Sequence, residues 1–128
     1  MKLLLDTHTF IWWDSEPTKL SASALSACQD QANTLILSVV SVWEIQIKSQ
    51  LGKLKLDLPL LEIIKSQQQT NNVQILTVEL GHVLKLQDLP YHHKDPFDRL
   101  LIAQANVEDA QLVSGDAVFS EYPINLIW

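Results

Sequence analysis

Leu3-Leu4-Leu5-Asp6 constrains this chain more than any other stretch. Three consecutive Leu residues suit a strand buried on both faces, as in a parallel sheet. The run stops at Asp6, which places that acid at the carboxyl end of the strand. In open α/β sheets, ligands and chemistry collect along that edge. Three further acids, Glu44, Asp98 and Asp116, are expected to return to it.

The remaining pattern supports such a sheet. Thr7 to Trp13 reads as a short helical turn. Pro17 and the Ser21-Ala22-Ser23-Ala24 run open a helix reaching about Gln31. Thr34 to Leu37 is a short strand, and Ser38 caps a helix from Val40 to Leu51 that Gly52 ends. Lys53 to Leu58 reads as a loop. Pro59 opens a helix that fades into Gln67 to Asn72, read as a polar connection. Val73 to Leu76 is a third strand, and Glu79 to Gln87 a helix. Asp95-Pro96 supplies an N-cap and then a first helical Pro, for a helix reaching about Val107. Leu112 to Ser114 is a fourth strand, Gly115-Asp116 a turn, and Ile124 to Ile127 a last strand. Strands alternating with helices indicate an α/β fold with a mainly parallel central sheet flanked by helices. No repeat or boundary divides the chain, so residues 1–128 are expected to form one domain.

Composition narrows the setting. The 47% hydrophobic content supports a full core. The one cysteine, Cys28, allows no disulfide within the chain and gives no sign of an oxidising compartment. Met1 to Leu5 resembles the start of a secretory leader, but Asp6 and His8 interrupt it. No apolar run approaches the roughly 20 residues of a membrane span, so a cytoplasmic location is expected. A net charge of −6 argues against non-specific binding to nucleic acid. It leaves room for an acidic site whose bound cation reverses the local potential. The cations fall in two groups: Lys48, Lys53 and Lys55, then His92, His93, Lys94 and Arg99.

Each acid also has a simpler reading. Asp6 suits a cap for the turn that follows it. Glu44 suits an i,i+4 pair with Lys48, yet it shares a helix face with Val40, Ile47 and Leu51, where a carboxylate needs a partner. Asp98 suits an acid complementing a helix dipole. Asp95 already serves that end, and Asp98 heads a stripe of Leu101, Ile102 and Ala105 that should face the sheet. Asp116 after Gly115 suits a turn. A carboxylate cluster without interleaved His or Cys favours hard cations, Mg²⁺ or Mn²⁺. His8, His82, His92 and His93 lack metal-ligand spacing, and His92-His93 reads as exposed loop. There is no phosphate-binding Gly loop. Trp43 reads as core. Trp12 and Trp13 are adjacent, so at least one should lie near a surface or partner.

Four stretches carry a resemblance. They are Leu3-Leu4-Leu5-Asp6-Thr7-His8, Ser38-Val39-Val40-Ser41-Val42-Trp43-Glu44-Ile45, Asp95-Pro96-Phe97-Asp98-Arg99-Leu100-Leu101-Ile102-Ala103-Gln104-Ala105 and Leu112-Val113-Ser114-Gly115-Asp116-Ala117-Val118-Phe119. In order and spacing this chain resembles the PIN domain, in particular the VapC-type toxins of bacterial type II toxin–antitoxin pairs. The resemblance implies a Mg²⁺- or Mn²⁺-dependent ribonuclease, usually a homodimer, silenced by a cognate antitoxin. It implies an acidic site of Asp6, Glu44, Asp98 and Asp116. Gly115 departs from the pattern, where many members carry a larger polar residue. Lys48, Lys53, Lys55 and Arg99, flanking the acidic motifs, are expected to meet RNA phosphates. Two other readings compete. An aspartyl-phosphate-type phosphatase would carry a second Asp where His8 stands. A catalytically silent PIN-like interaction module has no need to keep all four acids.

Overall fold

The computed structural model describes residues 1–128. Five strands, β1 (Lys2–Leu5), β2 (Thr34–Ser38), β3 (Gln74–Leu76), β4 (Gln111–Val113) and β5 (Leu126–Ile127), form one sheet in the order β3-β2-β1-β4-β5. Every pairing is parallel. Six α-helices connect them: α1 (Thr7–Ser15), α2 (Ala22–Gln29), α3 (Val39–Gln50), α4 (Leu60–Asn71), α5 (Leu80–Lys85) and α6 (Pro96–Val107). No helix is long and apolar enough to cross a membrane.

The triple Leu makes β1 the centre. Leu3, Leu4 and Leu5 are all fully buried. Side chains alternate along a strand, so Leu3 and Leu5 enter one core and Leu4 the other. The first core adds Phe10, Ala24, Cys28, Leu35, Leu37 and Ile63. The second adds Ile36, Leu101, Ile102, Leu112 and Phe119. α3 feeds both, Val40 into the second and Ile45 into the first. Burying each large side chain contributes about 1.5–3 kcal/mol before conformational entropy is charged against it. β1 pairs with β2 on one side (Leu4 opposite Ile36) and β4 on the other (Leu4 opposite Leu112). The chain therefore leaves β1 first to one side and later to the other. That reversal opens a crevice at the carboxyl ends of the strands.

Two expectations are corrected. The Gln67 to Asn72 run is helix, the end of α4 rather than a connection. Gln67 is buried there; its Oε1 accepts from Trp13 Nε1 at 3.0 Å and its Nε2 donates to Asp14 Oδ1 at 2.9 Å. The run thus turns one polar residue, Gln67, toward α1 and leaves residues 68–72 exposed. Asn72 then stops the helix in a left-handed conformation (φ 53°). Trp43, read as core, is 61% exposed, while Trp12 and Trp13 are half-buried.

Candidate active site

Asp6 lies where β1 meets α1 and is fixed there at both carboxylate oxygens. Oδ1 accepts the Thr9 N–H at 2.7 Å, so Asp6 is the N-cap of α1. Oδ2 accepts the Ser114 hydroxyl, which arrives from the end of β4. The Asp6 N–H donates to the Val113 carbonyl at 3.1 Å, continuing the β1–β4 ladder to the acid. Ser114 Oγ also accepts the Asp116 N–H at 3.0 Å. One serine therefore joins the two strand-end acids. Asp116 is exposed, and its Oδ1 accepts the Val118 N–H at 3.1 Å. A cleft of about 300 Å³ separates Asp6 and Asp116, with His8, Thr9 and Trp128 among its walls. A Cβ on Gly115 would meet Trp128 Cε2 at 2.6 Å. The glycine is required by the indole packed over it, which accounts for the departure at this position.

Glu44 stands on α3 and is buried. Thr7 Oγ1 donates to its Oε1 at 2.6 Å and lies 3.1 Å from Ser41 Oγ. Lys48 Nζ pairs with Oε2 at 2.9 Å. The partner a buried carboxylate needs is thus double: the hydroxyl beside Asp6 and the i+4 lysine.

Asp98 is half-buried in the first turn of α6. Asp95 is the N-cap, its Oδ1 accepting the N–H of Phe97 (2.9 Å) and Asp98 (3.1 Å), which leaves the Asp98 side chain free of that duty. Its Oδ2 lies 2.8 Å from His93 Nε2. The Asp98 carboxyl is pushed from its ordinary 3.8 up to about 6. Burial is the main cause; the negative charges of Asp95 and Glu44 push the same way, and the His93 hydrogen bond opposes them.

The acids fall into two linked halves. Asp6 and Asp116 share Ser114, and Glu44 on α3 lies near enough to Asp98 on α6 for its charge to raise the Asp98 carboxyl. Thr7, next to Asp6, bonds across to Glu44 and ties the halves together. The three ligating side chains that gather within 4.8 Å are His93, Asp95 and Asp98. His93 is the residue that sequence reasoning missed. It was read as exposed loop, yet it is half-buried against Asp98. The available signal was its place five residues before Asp98, in a loop closed by Pro90 and Asp95.

Arg99, expected at RNA phosphates, is placed elsewhere. It is buried, and its guanidinium donates to the Pro90 carbonyl (2.9 Å), the Tyr122 hydroxyl (3.3 Å) and the Leu86 carbonyl (3.4 Å). Its carbon Cζ lies 4.2 Å from the Tyr91 ring centroid. Arg99 clamps the loop that carries His93 and is buried in doing so. The Tyr122 hydroxyl also accepts the His93 N–H at 2.8 Å.

The donor set suits a hard divalent cation. It consists mainly of carboxylate and hydroxyl oxygens, and burial, helped by the charges of Asp95 and Glu44, raises the pKa of one of the carboxyls. On the cleft wall beside Asp6, the buried Thr9 Oγ1 has no hydrogen-bond partner.

Five parallel strands in this order, with acids at the end of the central one, define an α/β domain with an acidic edge. Residues 3–125 match the PIN domain, and the chain belongs to that family. Over 115 residues it is 30% identical to Ribonuclease VapC22 of Mycobacterium tuberculosis (strain ATCC 25618 / H37Rv), covering 89% of this chain and 86% of that one. Two solved structures share the fold. One is VapBC2 from Rickettsia felis bound to a DNA fragment from its promoter (TM-score 0.74, 18% identity, 98% of this chain and 97% of that chain). The other is DNA-bound VapBC from Salmonella typhimurium (TM-score 0.66, 13% identity, 98% and 96%).

Proposed function

We propose that this chain, as one PIN domain over residues 1–128, is a divalent-metal-dependent endoribonuclease and the toxin of a toxin–antitoxin pair. Support comes from its likeness to a ribonuclease and, in fold, to toxin–antitoxin complexes. The observation that carries the chemistry is Asp98, half-buried, near Glu44 and raised to about 6. Such a carboxyl gains most from a cation. Asp6, Glu44, Asp98 and Asp116 would hold Mg²⁺ or Mn²⁺. A bound ion would supply charge neutralisation at the phosphodiester and a more acidic water. The chain's own part is positioning. Thr7 and Ser114 fix Glu44 and Asp6 by hydrogen bonds, and His93 orients Asp98. Lys53 and Lys55 are exposed beyond the α3 helix that carries Glu44 and Lys48, and the three lysines offer a path for phosphates. The partners are RNA, a cognate antitoxin and a second copy of the chain, in the cytoplasm. Nothing at His8 favours aspartyl-phosphate chemistry; its side chain is exposed beside Trp12.

The test is cleavage of single-stranded RNA by the purified protein. Cutting should require Mg²⁺ or Mn²⁺, stop with chelator, and be lost in Asp98→Asn. Undiminished cutting in chelator, or by Asp98→Asn, would sink the reading. Replacing Lys48, Lys53 and Lys55 together by Ala should weaken RNA binding and flatten its salt dependence. An unchanged slope removes the lysines from the interface.

A further inference from the structure

Trp43 is a large apolar side chain left in water. It is 61% exposed, although it lies on the helix that feeds both cores. Its ring meets Phe97 edge to face, with centroids 5.0 Å apart and planes at 71°. Trp43 immediately precedes Glu44, and Phe97 immediately precedes Asp98. The helix pair that brings two carboxylates together therefore brings two aromatic rings together one residue earlier. Phe97 holds the indole in place while most of it remains in solvent.

We propose that Trp43 is a stacking platform for a nucleobase of the RNA strand lying at the acidic edge; this rests on the ribonuclease reading above. Position favours this occupant: the indole precedes Glu44 and rests on the ring that precedes Asp98, at the edge where the strand would lie. The chain carries a net charge of −6, and Lys48, the nearest lysine along α3, is tied to Glu44. Lys48 is therefore less available to a phosphate than the exposed Lys53 and Lys55. A strand held beside so many acids gains from an affinity that does not depend on charge. Stacking supplies it, and every base offers a face for it. A platform held by Phe97 also loses little rotamer freedom when a base arrives.

The experiment measures RNA affinity in a cleavage-silent Asp6→Asn protein with Mg²⁺ present. The probe is a single-stranded RNA that the wild type cuts at a mapped site. A matched series carries one abasic nucleotide at each position around the cut. Trp43→Ala should bind the intact RNA roughly ten- to a hundredfold more weakly, with the salt slope unchanged. Trp43→Phe should retain most of the affinity. At one position, the abasic substitution should cost the Trp43 protein about the same factor and cost Trp43→Ala nothing further. In the cutting enzyme, Trp43→Ala should raise KM more than it lowers kcat. Undiminished affinity in Trp43→Ala, or additive losses at every abasic position, would overturn the platform. If Trp43→Ala keeps its RNA affinity but changes sedimentation mass or antitoxin binding, the surface is a protein interface and the proposal is wrong. A wild type that neither binds nor cuts RNA overturns the ribonuclease reading together with the platform. A wild type that cuts, and a Trp43→Ala that matches it, overturns the platform alone.

Discussion

Asp6 and Asp98 face the same sheet edge with the same functional group, and the fold treats them oppositely. Asp6 accepts a backbone N–H at one oxygen and the Ser114 hydroxyl at the other. It caps α1, a duty that favours folding whether or not a ligand is bound. Asp98 has no capping duty. It sits beside other negative charges, is held by a histidine from a loop, and keeps its proton to about pH 6. In the proposed nuclease, chemistry and architecture coincide at Asp6 and compete at Asp98. An acid at a strand end can be structural and reactive at once. An acid drawn into a helix–helix wall is tolerated at a cost in stability.

This contrast makes the two acids separable. The largest expected effect is on activity, where it does not yet distinguish them. Asp6→Asn and Asp98→Asn should each cut RNA more than ~100-fold more slowly, since even residues supporting a metal ligand cost 10–100-fold. Stability without metal is where they should diverge. At pH 7 in chelator, Asp98→Asn should be more stable than wild type by ~1–3 kcal/mol, because a raised carboxyl pKa opposes folding by about 1.4 kcal/mol per unit. Asp6→Ala should be less stable by ~1 kcal/mol through the lost cap. Denaturant melts of the metal-free proteins read both signs, and two shifts of the same sign would break the comparison.

The pH dependence sharpens it. Between about 4 and about 6 the folded protein holds the Asp98 proton while the unfolded chain has released it. Folding stability from this group therefore falls as pH rises through that window. The Asp98→Asn advantage should vanish near pH 4 and be complete above about pH 6, measured as the difference between two melting series. An advantage constant with pH would mean that charge is not its source. The smallest effect belongs to Tyr122→Phe, which removes the hydroxyl shared by His93 and Arg99. It should cost ~0.5–1.5 kcal/mol and lower cleavage modestly. Hydrogen exchange should rise around residues 91–95 and not around Ser114.

Local patterns made most of the fold legible. Leu3 to Leu5 announced a doubly buried strand, and Asp95-Pro96 marked the start of α6 at its observed position. What escaped were features set by distant partners. The Gln67 to Asn72 run looks like a linker until Trp13 and Asp14 are brought against Gln67. Arg99 looks like a free cation until the carbonyls of Leu86 and Pro90 surround it. Trp43 looks like core because Trp usually is, and no periodicity reveals that Phe97 would hold it at the surface. At the proposed site, the positions of the four acids after strands and near helix starts were legible in the sequence, and their role remains the proposal made above. Their hydroxyl partners Thr7 and Ser114, and the His93 contact, depend on side-chain geometry that spacing does not encode.

The hydrogen bond from Ser114 to Asp6 spans 108 positions of the chain. Protein synthesis delivers residues in order, at roughly 5–20 per second. Until 108 further residues have been added, Asp6 can have no Ser114 beside it, because β4 and the turn after it have not been made. The central strand waits with one neighbour in place and the other missing. A nascent chain of this kind carries Asp6 long before it acquires the residues that meet it from β4. A copy terminated anywhere before Ser114 would carry Asp6 without the hydroxyl that holds it.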